Sequence, residues 1–162
     1  MKKSMYTLLI AFLMTFSVTL HAQENEVICS QRYDFCFQIP PNYFMLTTND
    51  IESRTVCYKT VDGSSTIDIM NGSLSESTDF HQLYLMVLGQ WTEKNYRITL
   101  KKEYRDFFIF SGYTNLGRGF YQKVIKIDND YANAYLEFPK GNKKYSNVSQ
   151  MLFDYFEKTI YN

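Results

Sequence analysis

Two histidines, three cysteines and 17 carboxylates are the side chains of this 162-residue chain equipped for chemistry. Catalysis by a Ser-His-Asp or Cys-His arrangement needs an imidazole as base. His21 closes an N-terminal apolar run that reads as a cleaved leader, so the working chain keeps only His81. His81 lies beside Asp79 in the first turns of a helical pattern, at a solvent-facing position. Zinc takes three or four Cys or His ligands at short spacing, and one histidine with three scattered cysteines is a poor set. The expectation is no metal, no cofactor and no catalytic residue.

Paired carboxylates would still serve a histidine-free hydrolase. The pair to test is Asp68 with Glu103 or Glu137; most other acids fall at turns or on polar strand faces. Asp128-Asn129-Asp130 resembles the opening of a calcium loop, but the sixth-position glycine is missing and Pro139 stands where the distal glutamate belongs. A hairpin turn is the better reading. Gly112 to Gly119 holds three glycines without a Gly-Lys-Ser/Thr ending, and a strand follows it, so it is no phosphate loop. Arg118-Gly119-Phe120 matches the start of an RNA-recognition signature, but Tyr121 and Gln122 break it. With no basic stretch, no nucleic-acid partner is expected.

Cys29, Cys36 and Cys57 suit one disulfide and one thiol in an oxidising compartment. In an extended chain Cys29 and Cys36 would lie roughly 23 Å apart, against a Cα limit of about 7 Å. A turn at Ser30-Gln31-Arg32 is therefore required for that bridge. Cys36 and Cys57 fall on successive predicted strands and would face each other if those strands paired. Both pairings stand as candidates.

The compartment comes from residues 1–22. Lys2-Lys3, a mostly apolar run from Met5 to Leu20, and Ala22 before polar Gln23 are the three parts of a secretory signal peptide. The run is shorter than the roughly 20 residues of a membrane span, so no stable anchor is expected after cleavage near Ala22. Cys29 is too far from the apolar run for lipidation. The expected product is one exported domain, 23–162, periplasmic or extracellular. The whole chain has 17 basic and 17 acidic residues, and losing Lys2 and Lys3 leaves two acids in excess. Its 13 Phe and 14 Tyr against one Trp suit an aromatic core or an adhesive surface.

Period-two alternation predicts a strand over 33–39, stopped by Pro40-Pro41. Residues 55–61 and 66–70 read as a hairpin around Asp62-Gly63-Ser64-Ser65. Phe80, Leu83, Tyr84, Val87, Leu88 and Trp91 then fall at helical spacing, with Ser77, Thr78 or Asp79 as N-cap. Strands are expected at 96–102 and 106–111, a turn over Gly112–Gly119, and a hairpin 120–128/131–138. Tyr145, Val148, Leu152, Phe153, Phe156 and Ile160 stripe a closing helix. The order β-β-β-α-β-β-β-β-α implies an α+β fold, a mostly antiparallel sheet flanked by helices.

Four stretches carry a family resemblance: Tyr33 through Pro40, Asp62-Gly63 with Thr66–Met70, Phe108–Gly112 with Phe120–Lys123, and Tyr145 through Phe156. Together they resemble the PsbP-like superfamily, an α-β-α sandwich found in the photosystem II extrinsic protein PsbP, the bacterial lipoprotein DcrB and many exported bacterial proteins. The resemblance implies binding of protein partners and no catalytic residues to carry over. The leading functional expectation is thus a non-catalytic exported domain that binds a protein, one form of which is an immunity protein against an envelope-targeted toxin. A carboxylate-dependent wall or glycan hydrolase, and a small-ligand carrier with a closed apolar pocket, are the alternatives.

Overall fold

The computed structural model describes residues 26–30, 35–40, 42–46, 55–75, 77–142 and 145. The leader 1–22 and all of the closing helix except Tyr145 fall outside these residues. The first two strands, β1 (Glu26–Ser30) and β2 (Phe35–Ile39), form a separate antiparallel pair. Their register sets Cys29 opposite Cys36, so the chain reverses between them. Next come β3 (Tyr43–Leu46), β4 (Thr55–Thr60), β5 (Thr66–Ser73), α1 (Phe80–Glu93), β6 (Arg97–Glu103), β7 (Phe107–Tyr113), β8 (Gly119–Ile127) and β9 (Asp130–Phe138).

These seven strands make one antiparallel sheet in the order β3-β4-β5-β9-β8-β7-β6. A meander β3-β4-β5 stops at the sheet's middle. The chain then crosses in α1 to the far edge and returns through β6-β7-β8-β9 until β9 pairs with β5. The hairpins follow their turn residues: Gly63 and Asp128 take left-handed φ of 65° and 52°, as tight turns demand. Helix α1 starts where Asp79 accepts from Gln82 N at 2.7 Å while Asp79 N donates to Gln82 Oε1 at 2.9 Å. This reciprocal cap is worth about 1 kcal/mol.

Several expectations are corrected. The pairing that would bring Cys36 to Cys57 is not made, because β4 lies between β3 and β5 while β2 pairs with β1. Nine strands are present among the described residues, not seven; β1 and β3 are five and four residues long, too short to show a period. Gly112 and Gly119 belong to strands, and the turn narrows to Thr114–Arg118. Gly112 is placed by close approach: a Cβ there would meet Arg97 O at 2.0 Å, beside a bulge between Ile98 and Leu100.

Each face of the sheet carries its own core. On one, Phe80, Leu83 and Trp91 of α1 pack on Phe108 and Phe110 of β7 and on Phe120 and Val124 of β8. On the other, Ile67, Ile69, Ala132, Ala134 and Leu136 pack with Ile39, Tyr43, Tyr58 and Tyr145. The middles of β8 and β9 are buried on both faces. That is why β8 reads as an almost unbroken buried run.

Candidate functional site

Helix α1 packs on β7 and β8 and reaches β9 through Trp91 and Tyr135; among the described residues no helix covers the β5–β4 side of that face. Between the helix and that side lies a cleft of about 450 Å³. Its helix wall is Leu83, Met86, Val87, Gln90 and Trp91, ending at Lys94. Its floor is Asp68 and Met70 of β5, Tyr131, Asn133, Tyr135 and Glu137 of β9, and Gln122 and Val124 of β8, with Thr55 at the β4 side. Period two turns these floor residues one way, while Ile67, Ile69, Ala132, Ala134 and Leu136 face the opposite core.

A chain of amides runs from the core into the cleft. Trp91 Nε1 donates to Gln122 Oε1 at 2.7 Å, and Gln122 Nε2 donates to Asn133 Oδ1 at 3.0 Å. Trp91, Gln122 and Asn133 are 8%, 4% and 6% exposed. The Trp91 ring stacks with Tyr96 at 5.0 Å and with Tyr135 at 5.3 Å, and Lys94 Nζ lies 5.0 Å from its centroid. Indole, amides and phenols therefore hold each other rigid.

The acids differ in their freedom. Arg118 Nε donates to Glu137 Oε1, and Tyr135 OH donates to Glu137 Oε2 at 3.1 Å. Arg118 is itself tied through Nη2 to Ser64 O at 2.6 Å, pinning the β4–β5 turn to the β7–β8 turn. Burial, the Tyr96 hydroxyl and the charge of Glu137 all push the Tyr135 phenol up, so it remains a donor. Asp68 has no cation paired with it among the described residues. Cys57, its register partner on β4, has its thiol pushed up to about 12 by burial, then by Asp68.

Of the acids singled out in the sequence, Asp68 and Glu137 share this cleft. Asp68 pairs with Tyr135 in register, which makes Glu137 its diagonal neighbour, at about 7–8 Å. Glu103 does not belong with them. Three strands separate β6 from β5, about 19 Å at the usual spacing, and Glu103 instead accepts from His81 Nδ1 at 2.7 Å. His81 is exposed and its pKa is raised by that hydrogen bond and charge. Asp128-Asn129-Asp130 is the β8–β9 turn, with Ile127 opposite Asp130. Among the described residues no three His, Cys, Asp or Glu side chains converge, and no helix is long and apolar enough to cross a membrane. Residues Gln122 and Asn133 escaped the sequence reading. Their signal was an amide at an inward strand position between aromatic or apolar neighbours: Phe120 and Val124 for one, Tyr131 and Tyr135 for the other.

Comparison with solved structures places this architecture. The solution structure of cyanobacterial PsbP (CyanoP) from Synechocystis sp. PCC 6803 superposes with a TM-score of 0.61, covering 87% of this chain and 94% of that one, at 8% identity. The fold is PsbP-like. The expected α+β class and superfamily likeness both hold at the level of fold. No family model and no curated protein matches the sequence, so the likeness lives in the PsbP-like topology and not in shared residues. The cleft between α1 and the sheet is open and mixes polar with apolar lining, unlike the closed apolar pocket of a small-ligand carrier.

Proposed function

We propose that this chain is an exported, non-catalytic domain that binds a partner protein, with the cleft between α1 and β5–β9 as the contact site. The leader-like residues 1–22 support export. The observation that carries the reading is the walled-in amide of Asn133, 6% exposed, bonded only through Oδ1 among the described residues. Its Nδ2 is not sealed from water, so a partner's carbonyl can take the place of cleft water on a donor that Gln122 already holds in position. Met86, 56% exposed on the helix wall, and Met70, 37% exposed on the floor, add adaptable apolar contact. A photo-crosslinker at Met86 tests the reading in the producing cell, with Leu116, an 82% exposed turn residue, as control. A discrete adduct specific to position 86 supports the cleft; equal or absent labelling at both positions overturns it.

The same cleft supports a second reading, a hydrolase using Asp68 and Glu137, diagonal neighbours on one face of the sheet, since two carboxylates in one cleft are what such an enzyme needs. Against it, both Glu137 oxygens are already occupied by Arg118 and Tyr135. Turnover of wall or glycan substrates abolished by Asp68→Asn would favour the hydrolase.

A further inference from the structure

We propose that the cleft receives an extended basic segment, with a lysine or arginine head on Asp68 and a main-chain carbonyl on Asn133 Nδ2. This rests on the cleft being the partner site. Three features define the occupant.

The first is charge. Of the cleft's ionised groups, Glu137 is neutralised by Arg118, and the Lys94 ammonium lies over the Trp91 ring. Among the described residues Asp68 has no cation within salt-bridge reach, and its partner across β4–β5 is the Cys57 thiol, a weak donor. An acidic segment would be repelled there, and an apolar one would strip water from a carboxylate without replacing it. A cation does replace it, through a charge-assisted hydrogen bond.

The second is the spare donor. Met70 pairs with Asn133 and Asp68 pairs with Tyr135, so Asp68 and Asn133 are diagonal neighbours on one face, about 7–8 Å apart. A basic side chain spans a similar length from backbone to head. One residue can therefore set its carbonyl on Asn133 and its charge on Asp68. The amide is positioned beforehand by the bond from Gln122.

The third is the wall. Leu83, Met86 and Val87 offer an aliphatic surface opposite Asp68, which suits the methylene stem of a basic side chain whose head needs polar company. The volume of about 450 Å³ lies within the roughly 300–1,000 Å³ of ligand pockets.

The test titrates isotopically labelled protein with three blocked tripeptides, acetyl-Ala-X-Ala-amide, where X is lysine, norleucine or glutamate. The lysine peptide should shift the backbone amides of Asp68, Asn133 and Met86 saturably. Norleucine should bind at least about tenfold more weakly, the size of one charge-assisted hydrogen bond, and glutamate more weakly still. Asp68→Asn should cut the lysine preference to under about threefold, and norleucine should bind no more weakly than to the parent protein, because no carboxylate is left to desolvate. Equal lysine and norleucine binding, or a preference surviving in Asp68→Asn, overturns the basic-segment inference and leaves the cleft as a partner site. Shifts confined to residues outside the cleft, or no shift with any peptide, overturn both.

Discussion

Replacing Gln122 with methionine tests whether the amide chain organises this half of the protein. Gln122 is 4% exposed and joins Trp91 Nε1 to Asn133 Oδ1. Methionine has nearly the same length, so no large cavity opens. Two buried polar atoms lose their partner instead, each at roughly 1–3 kcal/mol. The Trp91 indole, closed in by Tyr96, Phe120 and Tyr135, bears the full loss. Asn133 borders the cleft and recovers part through water. The expected cost is about 2–4 kcal/mol, set against a total stability of about 5–15 kcal/mol. Trp91 is the chain's one tryptophan, so urea titration followed by its fluorescence reads the site and the global transition together. A midpoint shift worth less than about 0.5 kcal/mol, with unchanged Trp91 emission, would refute the argument that the amides are structural. Adding Asn133→Leu should cost less than the sum of the two single changes by about 1 kcal/mol or more, because neighbours in one network are not additive.

Two glycines should respond oppositely to alanine. Gly89 lies inside α1, where an added Cβ would meet nothing within 4 Å; its replacement should gain about 0.5–1 kcal/mol of stability. Gly112, where the Cβ would meet Arg97 O at 2.0 Å, should lose at least about 1–3 kcal/mol as β6 is pushed from β7; thermal melts of both variants decide. His81 should titrate by NMR above its ordinary value of 6.5, because Glu103 favours the protonated ring. Its stabilising contribution is then complete below the unfolded value and is lost as pH rises through the folded one; a His81 midpoint unaltered by Glu103→Gln would contradict the pairing. Cys29 and Cys36, opposite in register, should appear as one linked fragment in unreduced peptide maps. Cys57, with its thiol pushed up to about 12, should resist iodoacetamide at pH 8 until the protein is unfolded; rapid labelling of folded protein would contradict that environment.

Residues whose local chemistry is self-sufficient are legible in the sequence. Asp79 and Gln82 form a cap between themselves, and Asp62-Gly63 and Asp128-Asn129 carry their turn signal in the local sequence. The site is not legible in the same way. Gln122 reads as a polar residue spoiling an RNA-binding signature, and only the packing of α1 over β8 turns it into the acceptor for Trp91. In the sequence, Glu137 and Glu103 are equal candidates to pair with Asp68. Choosing between them needs the order β5-β9-β8-β7-β6, which is a product of long-range pairing. The crossing of α1 to the far edge decides that Glu103 ends about 19 Å away, and no spacing in the chain records it.

Among the described residues a single helix lies on this seven-stranded face, which also explains why a cleft exists there. The sheet spans about 29 Å across its strands, whereas a helix with its side chains is about 10–12 Å wide. Helix α1 can hide only part of that face, and the remainder must be polar. The sequence complies, with Phe120 and Val124 beneath the helix and Asp68, Asn133 and Glu137 beyond it. Solubility alone would be met by side chains that stand in water, as Lys101 and Lys102 do on β6. Asn133 and Gln122 are instead 6% and 4% exposed, and their bonds fix where the Asn133 amide stands. Directed polarity of this kind holds the Trp91 indole in place, and on the proposed reading it would also lower the ordering cost of binding.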